Sequence, residues 1–221
     1  VIIEKELRKR FAIQGNPSYL NLSYEKKEDL RYGENPHQTA CVYTEHNTSV
    51  TAAINAEQLQ GKQMSYNNYL DANAALELLK EFDEPTAVVV KHNNPSGVAT
   101  DSNILSAYKK ARAVDPEAAF GGIVALNQEV DKRLAEEIIS KFVEIVMAPS
   151  FSKEALDVFG PKKNVRVLAL KEIKRIKLKK QDYRSINGGI LVQDRDTELY
   201  SELKVITKKA PSKQEMEDLI Y

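Results

Sequence analysis

The chain is poor in the residues that most often carry metal or thiol chemistry. Cys41 is its only cysteine, and His37, His46 and His92 are its only histidines in 221 residues. A single thiol excludes an intrachain disulfide and makes a reducing, cytoplasmic setting the expected one. It also excludes the zinc site of nucleobase deaminases, which needs a His or Cys with a close pair of cysteines and a glutamate proton shuttle. The histidines have no metal-ligand spacing, so no catalytic zinc and no other metal is expected. No apolar run is long enough for a bilayer, and the N-terminus lacks the basic stretch and hydrophobic core of a signal peptide, so a soluble chain is expected. Acidic and basic side chains number 32 each, and a net charge of zero gives no argument for nucleic acid or membrane as a partner. Only residues 162–180 are locally basic, which reads as a solvated face or, alternatively, as a docking edge for an anion. There is no Walker-type phosphate loop, no short-period repeat and no low-complexity linker.

What the chain does have is an alternation of helical and extended signals. Residues 4–11 read as a helix broken at Gly15, Asn16 and Pro17, with residues 19–22 extended and 40–43 a short strand. Apolar side chains at 74, 75, 78, 79 and 82 recur with helical spacing, and Asp71 stands where a cap belongs. Residues 86–90 form a β-branched run without polar alternation, which predicts a buried, central and parallel strand. Further helices are expected over 103–113, 130–140 and 150–159, and further strands over 123–126, 143–147, 165–168 and 188–192. This order predicts a layered α/β fold. Ser212 and Glu215 have capping-box spacing ahead of an apolar face at Met216, Leu219 and Ile220. The sequence stops about two turns into that helix, too short to stand without tertiary packing, which reads as a truncated chain.

Four segments have neither a core's composition nor a linker's. Residues 91–97 read Lys-His-Asn-Asn-Pro-Ser-Gly directly after the apolar run, at a point where Pro95 and Gly97 are expected to end regular structure. Residues 31–38 read Arg-Tyr-Gly-Glu-Asn-Pro-His-Gln, residues 65–68 Ser-Tyr-Asn-Asn, and residues 115–122 Asp-Pro-Glu-Ala-Ala-Phe-Gly-Gly. Turn formers beside hydrogen-bonding side chains in four loops point to a polar ligand with several groups to be held. Each has a plainer reading as well: a packed His92, an Arg31 tied to Glu34, loop capping by residues 65–68 and a tight turn at Gly121; for Glu144, outside these segments, the plainer reading is a surface position.

With their flanks, these segments (residues 30–38, 61–71, 88–97 and 115–127), together with residues 143–149, 187–196 and 205–211, resemble the first part of the transformylase domain of bifunctional purine-biosynthesis proteins. Those proteins combine 5-aminoimidazole-4-carboxamide ribonucleotide (AICAR) formyltransferase with inosine monophosphate (IMP) cyclohydrolase. The likeness runs through nearly the whole chain in the family's order. It lacks a preceding cyclohydrolase domain and the latter part of the transformylase domain. The resemblance implies a cytidine-deaminase-like fold duplicated across the complete domain, and a homodimer with composite sites. It divides the chain into a lead-in over 1–30, a main α/β region over 31–200, and the beginning of a further region over 201–221.

The implied reaction takes a formyl group from 10-formyltetrahydrofolate to AICAR, giving formyl-AICAR and tetrahydrofolate. The attacking amine must lose a proton, a tetrahedral oxyanion must be stabilised, and the leaving nitrogen must regain a proton. An imidazole titrating near neutrality suits the proton steps, and a neighbouring cation suits the oxyanion. The resemblance gives these parts to His92 and Lys91. On an extended strand the two would point oppositely, so their convergence requires the turn at Asn93, Asn94 and Pro95 to twist the backbone. The resemblance further implies that Arg31, Tyr32 and Gly33 hold the nucleotide, with Asn35 and Pro36 shaping the loop and His37 ordering it. Ser65 and Asn67 are hydrogen-bonding candidates for the same ligand, with loop capping the competing role. Phe120 and Gly121 are expected to wall the site, and Glu144, an acid inside an apolar stretch, to meet a ribose hydroxyl. Asn93, Asn94, Ser96 and Gly97 are given shape and hydrogen bonding only, and Pro95 shape. The rival of a different class is a noncatalytic nucleotide-binding or assembly subunit.

Overall fold

The computed structural model describes residues 17–45, 51–173, 181–196, 198, 200 and 202–220. The expected helix over 4–11 and His46 lie outside these residues, as does part of the basic run. The chain divides into two units, Val1–Ile176 and Lys177–Tyr221.

The first unit is built on a six-stranded sheet with the spatial order β3-β8-β7-β6-β4-β5. Its strands are β3 (Glu57–Gln60), β4 (Thr86–Lys91), β5 (Asn94–Thr100), β6 (Ile123–Leu126), β7 (Ile145–Ala148) and β8 (Arg166–Ala169). Strands β6, β7 and β8 run parallel. β4 is antiparallel to both of its neighbours, β5 and β6, and β3 is antiparallel to β8. The run at 86–90 is therefore central, as expected, but not parallel. A strand covered on both faces reads apolar throughout whichever way its neighbours run, so composition carried no information on direction.

Burial on both faces produces two apolar layers. Ala87, Val89, Val124, Leu126, Val146, Ala148 and Val167 face one side. There they meet helices α2 (Ile104–Val114), α3 (Lys132–Ile139) and α4 (Lys153–Phe159) through Ala107, Tyr108, Ala111, Leu134, Ile138 and Phe159. Val88, Val90, Ile123, Ala125, Ile145, Met147 and Leu168 face the other side, against α1 (Tyr66–Leu79) through Ala72, Ala75, Leu76 and Leu79. The period-two split along each strand is what makes one sheet serve two helical layers. The α2, α3 and α4 starts are capped by Asn103, Asp131 and Ser152, each accepting a backbone N–H three residues on.

α1 starts earlier than its apolar period indicated. Ser65 is the N-cap, its hydroxyl accepting from Asn68 N at 3.3 Å while Asn68 Oδ1 accepts from Ser65 N at 3.1 Å. This reciprocal box has Asn in place of the usual Glu or Gln. Asp71 is consequently inside the helix and caps nothing. A second departure lies at β5, which begins at Asn94 and contains Pro95 and Gly97, the residues expected to end regular structure. β5 is the sheet edge, where a missing N–H is tolerated. Gly97 pairs with Val89 and Pro95 with Val90, so Ser96 is an extra, bulged residue.

Residues 19–22 are irregular. The chain instead forms β1 (Glu25–Leu30), paired antiparallel with β2 (Ala40–Thr44) in a two-stranded ribbon. No described helix is long and apolar enough to cross a membrane.

The second unit holds an antiparallel hairpin of β9 (Gln181–Ile186) and β10 (Gly189–Asp194), turning at Asn187 and Gly188. It also holds α5 (Lys213–Ile220), where Ser212 N donates to Glu215 Oε2 at 2.7 Å and Glu215 N to Ser212 Oγ at 3.2 Å. The capping box read from the spacing is present, and it holds the Glu215 carboxyl below the usual carboxylate range.

Candidate functional site

The antiparallel setting of β4 decides where the special residues meet. Its C-terminal end lies beside the N-terminal end of β6, with Val90 opposite Ile123. Lys91 and His92 at the end of β4, Phe120–Gly122 before β6, Glu144 before β7 and Arg166 at the start of β8 thus lie at one end of the sheet's strands. The N-terminus of α1 reaches that end, because Asn68 Nδ2 donates to Glu144 Oε2 at 3.2 Å.

Lys91 and His92 sit on a two-residue hairpin. His92 has φ 53° and Asn93 φ 62°, both in the left-handed region, which is the signature of a type I′ connection between β4 and β5. The backbone does twist, but at His92 and Asn93 themselves rather than along Asn93–Pro95. Lys91 Nζ donates to Phe120 O at 2.8 Å, tying the hairpin to the Phe120–Gly121 segment. His92 is exposed at the tip, and Asn94 Nδ2 donates to its carbonyl at 2.8 Å. On the other flank, Asn93 N donates to Asp71 Oδ1 on α1 at 2.7 Å.

The Arg31 loop docks on the same helix end. Arg31 N donates to Met64 O (3.5 Å), Tyr66 N to Tyr32 O (3.3 Å) and Asn67 Nδ2 to Glu34 O (3.1 Å). Gln38 closes the loop: its carbonyl accepts from Gly33 N at 2.8 Å and its Oε1 from Asn35 N at 2.7 Å. His37 is exposed, and the loop's order among the described residues comes from Gln38 instead. The Arg31 guanidinium lies 5.4 Å from the Tyr32 ring centroid, close enough for cation–π attraction. Pro36 is exposed in the turn.

Gly121 has φ +71° and gives its N–H to Phe142 O at 2.9 Å, and the Phe120 and Phe142 rings lie 5.4 Å apart. Phe120 is nevertheless 59% exposed, an aromatic face open to a ligand beside Lys91. Glu144 stands one residue before β7 rather than within it. Its N–H donates to Gly122 O and its carbonyl accepts from Arg166 N, both at 3.0 Å. These contacts close on themselves. The Arg31 loop joins α1, α1 joins Glu144, Glu144 joins Gly122, Phe120 joins Lys91, and the Lys91 hairpin returns to α1 at Asp71.

Three members of this circuit were not singled out as site residues in the sequence. Asn68 was overlooked beside Ser65 and Asn67, although Ser65 spends its hydroxyl as a cap and Asn67 ties down the Arg31 loop. Asp71 was read as a cap. Arg166 is 5% exposed and forks onto Gln63 O through Nε (3.3 Å) and Nη2 (3.1 Å). Burial pushes its pKa down and nearby Arg31 adds to that, while Glu144 pulls it up. The signal for Arg166 was the one used for Glu144, a charge interrupting an apolar run. Two guanidiniums and one carboxylate leave this corner with a local excess of positive charge, suited to a phosphate or another anion. Among the described residues no three His, Cys, Asp or Glu side chains gather as metal ligands.

Comparison with known proteins gives a consistent picture. A family model described as the AICARFT/IMPCHase bienzyme matches residues 1–221. The bifunctional purine biosynthesis protein PurH of Acetivibrio thermocellus is 50% identical over 223 residues, covering 100% of this chain and 43% of the relative. That of Persephonella marina is 47% identical over 223 residues, with the same 100% and 43% coverage. The chain spans less than half the length of these curated relatives.

Proposed function

The chain belongs to the AICARFT/IMPCHase bienzyme family, and from that premise we propose that it forms the nucleotide-holding part of an AICAR formyltransferase. The observation that carries the proposal is the circuit that joins the Lys91–His92 hairpin to the Arg31 loop and Glu144 through α1. The substrates are AICAR and 10-formyltetrahydrofolate, in the de novo synthesis of purines.

In this reading Arg31 takes the nucleotide's anionic group, with Tyr32 and the Gly33 backbone beside it, and Glu144 takes a ribose hydroxyl. Phe120 and Gly121 flank the planar base. The exocyclic amine of AICAR attacks the formyl carbon and gives its proton to His92, which needs the exposed position this imidazole has. The bond from the formyl carbon to the folate nitrogen then breaks, and that nitrogen takes up a proton as it leaves. Lys91 offsets the charge on the tetrahedral oxygen. An ammonium has three donors, so the bond to Phe120 O leaves capacity for the formyl oxygen. A reaction of this kind needs no metal, only proton transfer and charge stabilisation.

The finer assignments rest on the family. They are a cytidine-deaminase-like unit duplicated in the complete domain, a homodimer with composite sites and an accompanying IMP cyclohydrolase activity; a cytoplasmic location is proposed instead from the single cysteine, Cys41. The helix–hairpin–helix–strand order from α1 through β6 supports the cytidine-deaminase-like unit; its duplication rests on the family alone. The test is His92→Ala in the protein produced from its own gene. Formyl transfer to AICAR should fall by about 100-fold or more, the range for loss of a general acid–base group, with unfolding unchanged. Near-normal turnover by this variant would sink the assignment. Nucleotide binding without any formyl transfer by the wild type would favour a noncatalytic subunit.

A further inference from the structure

The hairpin that presents His92 is in a conformation its residues do not favour on their own. Side chains with a Cβ avoid the left-handed region, and here two successive ones, His92 and Asn93, occupy it. Such a tip keeps one shape only when bonds from outside over-determine it. Asp71 supplies them. Its Oδ1 accepts from Asn93 N at 2.7 Å, and with the Asn93 carboxamide nitrogen turned toward the helix, Nδ2 donates to Leu70 O and Asp71 Oδ1, each at 3.2 Å.

Asp71 lies three residues after Asn68 on α1, so both project from one face of the helix. Asn68 reaches Glu144 at 3.2 Å and Asp71 reaches the hairpin. One rigid helix thus sets the spacing between the acid assigned to the ribose and the imidazole assigned to the proton. Asp71 is exempt from capping duty, which Ser65 performs, and a carboxylate in mid-helix is not needed for α1 itself.

We propose that Asp71 is a positioning residue for His92: its carboxylate locks the left-handed hairpin tip and thereby aims the imidazole at the nucleotide. The catalytic consequence rests on the formyltransferase reading, whereas the lock itself does not.

The test compares Asp71→Ala and Asp71→Asn with wild type, in the protein produced from its own gene. Alanine is a good helix former, so α1 should survive the first change. The amide oxygen of Asn can still accept from Asn93 N, so the second change should retain the lock. In Asp71→Ala, hydrogen exchange at the Asn93 amide should speed up by about tenfold or more, the effect of losing a bond to a charged acceptor. The kcat for formyl transfer should fall by about tenfold while the KM for AICAR stays within about twofold, since misaim affects the reacting geometry and not the nucleotide's grip. Asp71→Asn should recover most of both. An unchanged Asn93 amide in Asp71→Ala, or an Asp71→Asn variant as impaired as Asp71→Ala, overturns the proposal. A loss of nucleotide affinity equal to the loss of turnover overturns it as well. If the wild type transfers no formyl group, the functional reading fails separately, and the exchange measurement still decides the lock.

Discussion

Gly97→Ala is the most demanding perturbation of the frame that carries the hairpin. Gly97 is buried on β5, and a Cβ there would lie 1.8 Å from Ala111 O and 2.8 Å from Ala111 C, with Val114 Cβ at 3.3 Å. The first two are main-chain atoms of α2, so no rotamer change relieves the contact. The strand and helix must part by at least about 1 Å in a close-packed layer, and overpacking of this kind costs about 1–3 kcal/mol. At about 2–4 °C per kcal/mol for a chain of this length, the midpoint of thermal unfolding should drop by roughly 2–12 °C. Because β5 also carries the Ser96 bulge and ends the hairpin at Asn94, the displacement should propagate to His92 and lower kcat. Gly97→Ser should be at least as harmful. The measurement is thermal unfolding followed by far-ultraviolet circular dichroism, with the formyl-transfer rate taken on the same samples. A midpoint within 1 °C of wild type, about the precision of such a scan, would refute the steric reasoning, since a main-chain clash has no cheap escape.

Three more outcomes follow from individual contacts. Ser65→Ala should destabilise by about 1 kcal/mol and Ser65→Thr by much less, because the hydroxyl caps α1; lost AICAR affinity with unchanged stability would instead give Ser65 to the substrate. Tyr108 is buried, burial pushes its hydroxyl up to about 12, and that hydroxyl has no hydrogen-bond partner among the described residues. Tyr108→Phe should therefore stabilise the fold by about 1 kcal/mol in urea unfolding, and a loss of stability would show that the oxygen is solvated. The Tyr69 hydroxyl donates to Glu28 Oε1 at 2.7 Å, and burial, then Glu28, raise its pKa well above the ordinary value. A raised folded pKa means stability that is whole below the unfolded value of about 10 and is lost as pH rises past it. Tyr69→Phe should make the urea midpoint fall less steeply between about pH 9.5 and 11, and an identical slope would count against a half-buried Tyr69 hydroxyl held by Glu28.

How much of this was legible depended on burial. The strands at 86–90 and 123–126 announce themselves because both faces are covered, and an apolar run of four or five residues is too short for a helix; the one at 165–168 is legible despite Arg166 within it. The ribbon strand β1 and the edge strand β3 were missed for the opposite reason, whereas β2 was expected at 40–43. β1 reads Glu-Lys-Lys-Glu-Asp-Leu and β3 reads Glu-Gln-Leu-Gln; both are largely exposed, so neither alternation nor β propensity marks them. α1 was recognised only from its apolar second half, since its first turn, Tyr-Asn-Asn-Tyr, has weak helix formers and is held by a side-chain box.

The hairpin was misplaced by giving Pro95 and Gly97 the usual weight of breakers. On an edge strand with a bulge both are admissible, and the turn fell to His92 and Asn93, residue types that tolerate the left-handed region better than most. That shift bears directly on the site. Had β4 simply ended in a loose Asn-Asn-Pro loop, Lys91 and His92 would have alternated to opposite sides of the strand. With the reversal placed at His92, Lys91 stays in register opposite Asn94 and is pinned to Phe120, while His92 leaves the sheet altogether. Two adjacent residues can then serve one ligand from different directions, one as a fixed cation at the end of β4 and the other as an imidazole beyond it. A two-residue turn leaves little slack for error in that arrangement. The tie to α1 through Asp71 and the tie to β6 through Phe120 restrain it from both flanks, which is what a proton transfer over hydrogen-bond distance requires.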